Sequence, residues 1–282
     1  MGMDQRITFS GSGELDNGFT PSVYVVNQPN GGGFYSAEVA LGMGDLGTIS
    51  LNQGAGNVGA DAIDDETPRA YEEPDDQLAT SFRGLANPQG SGNLIKYLNT
   101  LGPVTVNLGF RSGDGTNNPQ GADSSSDGAD GTGNPGNVYT GSLIVSPIEG
   151  LRTGIGYSEL EADAGKDTEG YAGFITYAYG PVTVGAQRNK TTSATVASNK
   201  EGNQMSISFN VNENLAISYA DGEIEHYGSA AVADVDEDYD AINISYTSGG
   251  MTIAGQRAEA DNSGGVANVD EEATEIILSF AF

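Results

Sequence analysis

The chain ends Glu271-Glu-Ala-Thr-Glu-Ile-Ile-Leu-Ser-Phe-Ala-Phe282, and every second residue from Ile276 onward is apolar: Ile276, Leu278, Phe280 and Phe282. Period-two alternation puts those four side chains on one face of a strand. In water, a terminal strand with that face and an open edge is an aggregation hazard. In a bilayer the same strand can close a barrel, with one face against lipid and the other against an aqueous lumen. The segment therefore predicts the closing strand of an all-β transmembrane antiparallel β-barrel.

Composition agrees with that reading. The 282 residues are read as one domain, 1–282, and no stretch approaches the roughly 20 consecutive apolar residues of a spanning helix. A barrel needs no such stretch, because alternation dilutes the apolar residues of each strand with polar ones. Cysteine is absent, which excludes a disulfide framework, a thiolate nucleophile and a zinc–thiolate site. The formal net charge is −28, with only 11 lysines and arginines, so nucleic acid is excluded as a partner and cations are favoured. Met1-Gly-Met3 lacks the basic and apolar regions of a signal peptide, so a secreted form would be a processed one.

Working back from the C-terminus, fifteen alternating segments are expected, separated by connections of two kinds. Short turns fall at 16–18, 44–45, 101–103, 147–150, 180–181, 212–214 and 248–250, and most carry Asn-Gly, Gly-Pro or Gly-Gly. Long polar connections fall at about 27–33, 54–92, 112–137, 160–169, 191–203, 223–238 and 260–270. Strict alternation of short and long connections suits a transmembrane barrel with turns on one rim and loops on the other. Following it puts the C-terminus on the turn rim and Arg6 on the loop rim, so an upward strand preceding Met1 is expected. Parity assigns faces: Val104, Val106, Leu108 and Phe110 oppose Thr105, Asn107, Gly109 and Arg111. The polar faces are small and read as lining water. Tyrosines 157, 177, 179, 219 and 246 lie near strand ends, as an interfacial girdle requires.

The chain resembles the general porin family of Gram-negative bacteria, in its alphaproteobacterial form. The stretches that carry the resemblance are Ile7-Thr-Phe-Ser-Gly11, Glu14-Leu-Asp-Asn-Gly-Phe-Thr20, Gly44-Asp-Leu-Gly-Thr-Ile-Ser50 and Lys96-Tyr97 with Leu101-Gly-Pro103. Tyr139-Thr-Gly-Ser-Leu-Ile-Val-Ser-Pro147 and Tyr177-Ala-Tyr-Gly-Pro-Val-Thr-Val-Gly185 extend it over essentially the whole chain. The resemblance implies a 16-stranded trimer in the outer membrane, among lipid and lipopolysaccharide, whose first strand precedes the one beginning here at Arg6. It implies that the end of the chain, on Phe282, serves as an insertion signal. It also implies that the third outer loop, here 54–92, folds inward as a constriction.

That loop carries Asp61, Asp64, Asp65, Glu66, Glu72, Glu73, Asp75 and Asp76 against Arg69 and Arg83. Arg6, Glu38, Lys96, Arg111 and Arg152 share the parity of the polar faces and are expected on the pore wall. Arginines facing carboxylates across the opening would set up a transverse field. The excess of acid predicts a cation-preferring channel for small hydrophilic solutes that requires no cofactor. Asp234, Asp236, Asp238 and Asp240 alternate at the start of a strand and are candidate calcium or magnesium ligands at the outer rim. The segment 112–137, rich in Gly, Asp, Ser and Asn, reads as a flexible outer loop. His226 is the only histidine, so neither a Ser-His-Asp set nor a multi-histidine metal site is expected, and no enzyme activity. Two other functions fit the composition: a substrate-specific outer-membrane channel, and a secreted calcium-binding β-rich adhesin or surface-layer protein.

Overall fold

A computed structural model describes residues 6–27, 34–54, 56–88, 92–113, 136–162, 166–229 and 231–281. Phe282 and most of segment 112–137 lie outside the described residues, as do residues 28–33. The described residues form fifteen strands: β1 (Ile7–Ser12), β2 (Thr20–Asn27), β3 (Phe34–Gly42), β4 (Thr48–Gln53), β5 (Leu94–Leu101), β6 (Val104–Arg111), β7 (Val138–Ile148), β8 (Leu151–Leu160), β9 (Thr168–Tyr179), β10 (Val182–Thr192), β11 (Lys200–Asn210), β12 (Leu215–His226), β13 (Val235–Ser248), β14 (Met251–Asp261) and β15 (Glu271–Phe280). Each pairs antiparallel with its sequence neighbours in one sheet of order β1 to β15. Among the described residues β15 pairs with β14 alone and β1 with β2 alone, so no pairing joins the two ends of the order. Among them, too, no helix is long and apolar enough to cross a membrane.

The tight turns follow from local chemistry. Between β5 and β6, Leu101 pairs with Val104 across Gly102-Pro103, where Gly102 takes φ +60° and proline supplies a fixed negative φ. Pro147 lies within β7, where the register with β8 shifts between Val145 and Ile148. A residue without an N–H is tolerated at such an irregularity.

Burial across the sheet is the inverse of that in a water-soluble protein. Asn107, Ser158, Gln187, Asn189, Gln204, Ser218, Asn243 and Gln256 are buried on one face. On the other, Ile155, Met205 and Ile276 are exposed at 66%, 68% and 78%. Cross-strand pairing makes the exposed apolar face continuous: Val184 opposes Ile207, Ile207 opposes Tyr219, and Tyr219 opposes Ile242. An apolar surface this extensive requires a non-aqueous contact. Tyr177, Tyr179, Tyr219 and Tyr246 are exposed on it.

The strand ends differ from expectation on one side of the sheet. β11 begins at Lys200 and β12 runs to His226, while β13 begins at Val235. In these extensions the residues sharing the apolar parity are charged. Glu201 pairs with Glu225, Glu225 with Asp236, and Glu223 with Asp238. Hydrophobic periodicity therefore fades where the hydrogen-bonded ladder continues.

Candidate functional site

Residues 56–88 lie along the polar face of the sheet. The loop sets out over β6 and β7: Gly59 N donates to Asn107 Oδ1 at 3.0 Å, Asn107 Nδ2 to Asn57 O at 2.8 Å, and Ala60 N to Thr140 Oγ1 at 2.9 Å. It then crosses β10 to β12. Gln187 Nε2 donates to Ile63 O at 2.9 Å, Ser206 Oγ to Pro68 O at 2.7 Å, and Ala70 N to Ser218 Oγ at 2.9 Å. At the far side Gln256 Nε2 donates to Glu73 O at 2.7 Å, and the Tyr71 hydroxyl to Glu275 Oε2 at 3.0 Å. The loop then returns, with Thr191 Oγ1 bonding Leu85 O and Ser158 Oγ bonding Ala86 O, both at 2.9 Å.

Apolar contacts reinforce this docking. Leu78, Phe82 and Leu85 pack with Ile224, Tyr239, Ala241, Ala258 and Ala260, and Ile63 and Ala86 pack with Ala172 and Phe174. The small residues of the polar face make room for the loop. A Cβ on Gly170 would sit 2.3 Å from Ala86 O. The smallness expected of a wetted lumen is, on β6 to β12, the imprint of a docked chain segment. Among the described residues the hydrogen bonds from loop to sheet run chiefly to strands between β6 and β15, and on β4 Asn52 Nδ2 donates to Gly56 O at 3.4 Å where the loop sets out.

Of the loop's eight carboxylates, Asp65, Glu73, Asp75 and Asp76 are joined through Arg69 and Arg83, while Glu66 and Asp61 have partners of their own. Arg152 of β8 bonds Glu66, with Nη2 to Oε1 at 2.8 Å, while its guanidinium stacks 4.9 Å over the ring of Phe174. Arg69 bridges Asp65 at 3.1 Å and Glu73 at 2.8 Å. Arg83 reaches Asp76, Glu73 and Asp75 at 3.3, 3.7 and 3.8 Å. Asp61 accepts the Asn57 N–H at 2.6 Å. Asp75 is 2% exposed, accepts the Phe82 N–H at 3.0 Å on Oδ2, and leaves Oδ1 without a hydrogen bond.

Burial first, and then neighbouring acids, moves the protonation of several of these carboxyls toward neutral pH. Burial, then Asp61 and Asp65, pushes Asp64 up to about 8. Burial and a hydrogen bond to Glu73 raise Asp65 to about 6 and Glu72 to about 7. Burial also pushes Glu73 up, but the hydrogen bond from Asp65 and the Arg69 guanidinium outweigh it and hold Glu73 well below the usual range. Burial raises Asp75 as well.

The remaining expected site residues fall in three places. Glu38 on β3 accepts from Asn52 Nδ2 at 3.2 Å, and Lys96 on β5 shares the polar face with its partner Gly109. Arg6 is exposed just ahead of β1, and Arg111 ends β6 with Nη1 on Gly92 O at 3.0 Å. Arg152 meets the acidic loop directly, paired with Glu66. Asp234 accepts the Gly228 N–H at 2.7 Å, while Asp236, Asp238 and Asp240 pair across β12 with Glu225, Glu223 and Asp221. Among the described residues, the carboxylates close enough to share an ion are instead Glu72, Glu73 and Asp76, whose oxygens lie within 4.8 Å of one another. Arg83 already supplies positive charge to two of them.

Sequence reading missed the wall residues that hold the loop: Asn107, Thr140, Gln187, Asn189, Ser206, Ser218, Asn243 and Gln256. Their signal is amides and hydroxyls placed at the polar parity of successive strands.

A single antiparallel sheet with an apolar outer face and an acidic loop docked on its polar face defines a channel of the outer-membrane barrel class. The Gram-negative porin family model matches residues 1–264, and the chain belongs to that family. No curated protein matches its sequence. Among solved structures, Salmonella typhi OmpF in complex with daunomycin is similar at TM-score 0.72 and 13% identity, covering 97% of this chain and 89% of that one. A porin refined at 1.8 Å resolution is similar at TM-score 0.67 and 16% identity, covering 98% and 92%. The trimer form of in-vitro folded OmpT of Vibrio cholerae is similar at TM-score 0.61 and 10% identity, covering 97% and 87%. Family and fold are those of an outer-membrane channel rather than an enzyme.

Proposed function

We propose that this porin is a passive, cation-preferring diffusion channel for ions and small hydrophilic solutes, working as a homotrimer among outer-membrane lipid and lipopolysaccharide. The observation that carries the reading is the docked loop, which brings eight carboxylates to the polar face against its own Arg69 and Arg83. Arg69, Arg83 and Arg152 are each held in ion pairs with loop carboxylates, which leaves the excess of acid uncompensated. A permeating cation gains from that surplus and an anion is repelled. Glu38, on the polar face of β3, adds to the same sign. With its basic residues paired inside the loop, the opening selects by net charge more than by a transverse field. The trimer form of the similar OmpT supports the oligomeric part of the reading. The test is single-channel recording in a planar bilayer, with the reversal potential measured under a KCl gradient. Ohmic steps in threes with a cation-selective reversal are expected, and an anion-selective reversal would overturn the charge assignment.

A further inference from the structure

Most of the constriction loop is held by neutral amides and hydroxyls, but its far end is held by two carboxylates that also hold something else. Glu237 of β13 is 0% exposed. Its Oε1 accepts the Thr80 hydroxyl of the constriction loop and the backbone N–H of Gly264 at 2.8 Å. Its Oε2 meets His226 Nε2 at 2.7 Å. Glu271 of β15 repeats the pattern: Oε2 accepts the Ala79 N–H at 2.8 Å and the Ser263 hydroxyl at 2.7 Å. Two neighbouring loop residues, Ala79 and Thr80, are thus bridged to two neighbouring residues, Ser263 and Gly264, of the turn between β14 and β15.

That turn is itself well organised. Asn262 and Asn268 adopt φ of 56° and 61°, Asn268 N donates to Asn262 Oδ1 at 2.8 Å, and Asn262 Nδ2 donates to Asp236 O at 2.8 Å. It lies directly on the imidazole, since a Cβ on Gly265 would meet His226 Nδ1 at 2.3 Å. Glu237 is withdrawn from water, where hydrogen bonds to a charged acceptor are strong and breaking one strands a desolvated partner, whereas Glu271 is half-buried.

We propose that Glu237 and Glu271 are positioning residues that clamp the constriction loop to the outer turn 262–268. Through them the turn sets the loop's resting position, and an event at the turn reaches the opening. This rests on the channel reading above. Neither carboxylate need touch a permeating ion.

The experiment is planar-bilayer recording of the intact porin beside Glu237→Leu, Glu271→Leu, Thr80→Val and Ser263→Ala. The occupancy of sublevels during steady opening is expected to rise at least about tenfold in each, given the strength of the bonds removed. Thr80→Val and Ser263→Ala remove one hydroxyl apiece, so the test survives if a carboxylate variant fails to fold. A change in the carboxylate variants without one in Ser263→Ala would overturn the link to the turn. Val266 is exposed on the turn and the chain has no cysteine, so Val266→Cys can carry a single biotin. Streptavidin is expected to shift the closing voltage of that variant, and to leave it unmoved when Thr80→Val and Glu271→Leu are added. Equal shifts in both backgrounds would overturn the clamp. Absence of any conductance from the unaltered porin would sink the channel reading instead.

Discussion

At the scale of single residues, the carboxyls of the docked loop are buried and crowded enough that the protonation of three of them changes where solution pH ordinarily lies. Asp64 is raised to about 8, Glu72 to about 7 and Asp65 to about 6, in each case first by burial and then by neighbouring acids. An ordinary carboxyl titrates near pH ~4. Because these pKa values are raised, the groups are neutral in weak acid and gain negative charge as pH climbs through about 6 to 8. Cation selectivity is therefore expected to rise over that window, read from reversal potentials at pH 5 and pH 9. Asp64→Asn combined with Glu72→Gln should flatten most of the change, and an unchanged slope in that variant would locate the titrating charge elsewhere. The sign for loop attachment is opposite. A docked loop holding more protons than a free one is attached most firmly below the ordinary carboxyl range, and loses that contribution as pH passes about 8. Eight acids in the segment were legible from the sequence. That Arg152 would be captured by Glu66 was not, since the two are separated by 86 positions and meet only when the loop lies down on β8.

At the scale of elements, strands and loop obey different signals. Apolar and polar positions alternate through β6 and β11, with a turn at nearly every short connection, so all fifteen strands could be read. The ends of β11, β12 and β13 could not, because charged residues such as Glu201, Glu223 and Asp238 occupy the parity that apolar ones hold further along. Parity makes a direct prediction. Ile207 faces outward and is 45% exposed, so Ile207→Arg should cost about 2–4 kcal/mol near the bilayer midplane, seen as a fall in the fraction folded in lipid vesicles. Ser208→Arg, on the opposite face, should fold normally and change only conduction. The docked path of the loop was hidden from the sequence, because its partners lie on strands far along the chain. Asn189, fully buried, donates from Nδ2 to both Asp64 O at 2.8 Å and Phe82 O at 3.2 Å, so it holds the outgoing and returning limbs together. Asn189→Leu strands both carbonyls at a cost of about 2 kcal/mol or more. The strands should survive, while trypsin cleavage after Arg69 and Arg83 should accelerate at least about tenfold. Protection equal to that of the unaltered porin would mean that the apolar clusters alone hold the loop.

At the scale of the whole molecule, a formal charge of −28 and a single acidic loop are rival sources of the proposed cation preference. They separate by distance. Charge spread over the outer surface acts through solution, where the screening length shrinks from about 10 Å at 0.1 M salt to about 3 Å at 1 M. Charge packed on the docked loop is partly withdrawn from water, so salt screens it far less, and it would act at close range on an ion passing the polar face. Such a cluster is what Arg69 and Arg83 hold together, with carboxylates between 2.8 and 3.8 Å of their nitrogens. The expected result is that the cation preference weakens between 0.1 M and 1 M KCl and does not vanish. The residue left at 1 M should then fall further in Asp64→Asn/Glu72→Gln/Asp76→Asn, while neutralising the outward-facing Asp236, Asp238 and Asp240 should change only the low-salt value. Loss of all selectivity at 1 M in the unaltered porin would assign the preference to the surface as a whole, and the loop would then narrow the opening without choosing which ions pass.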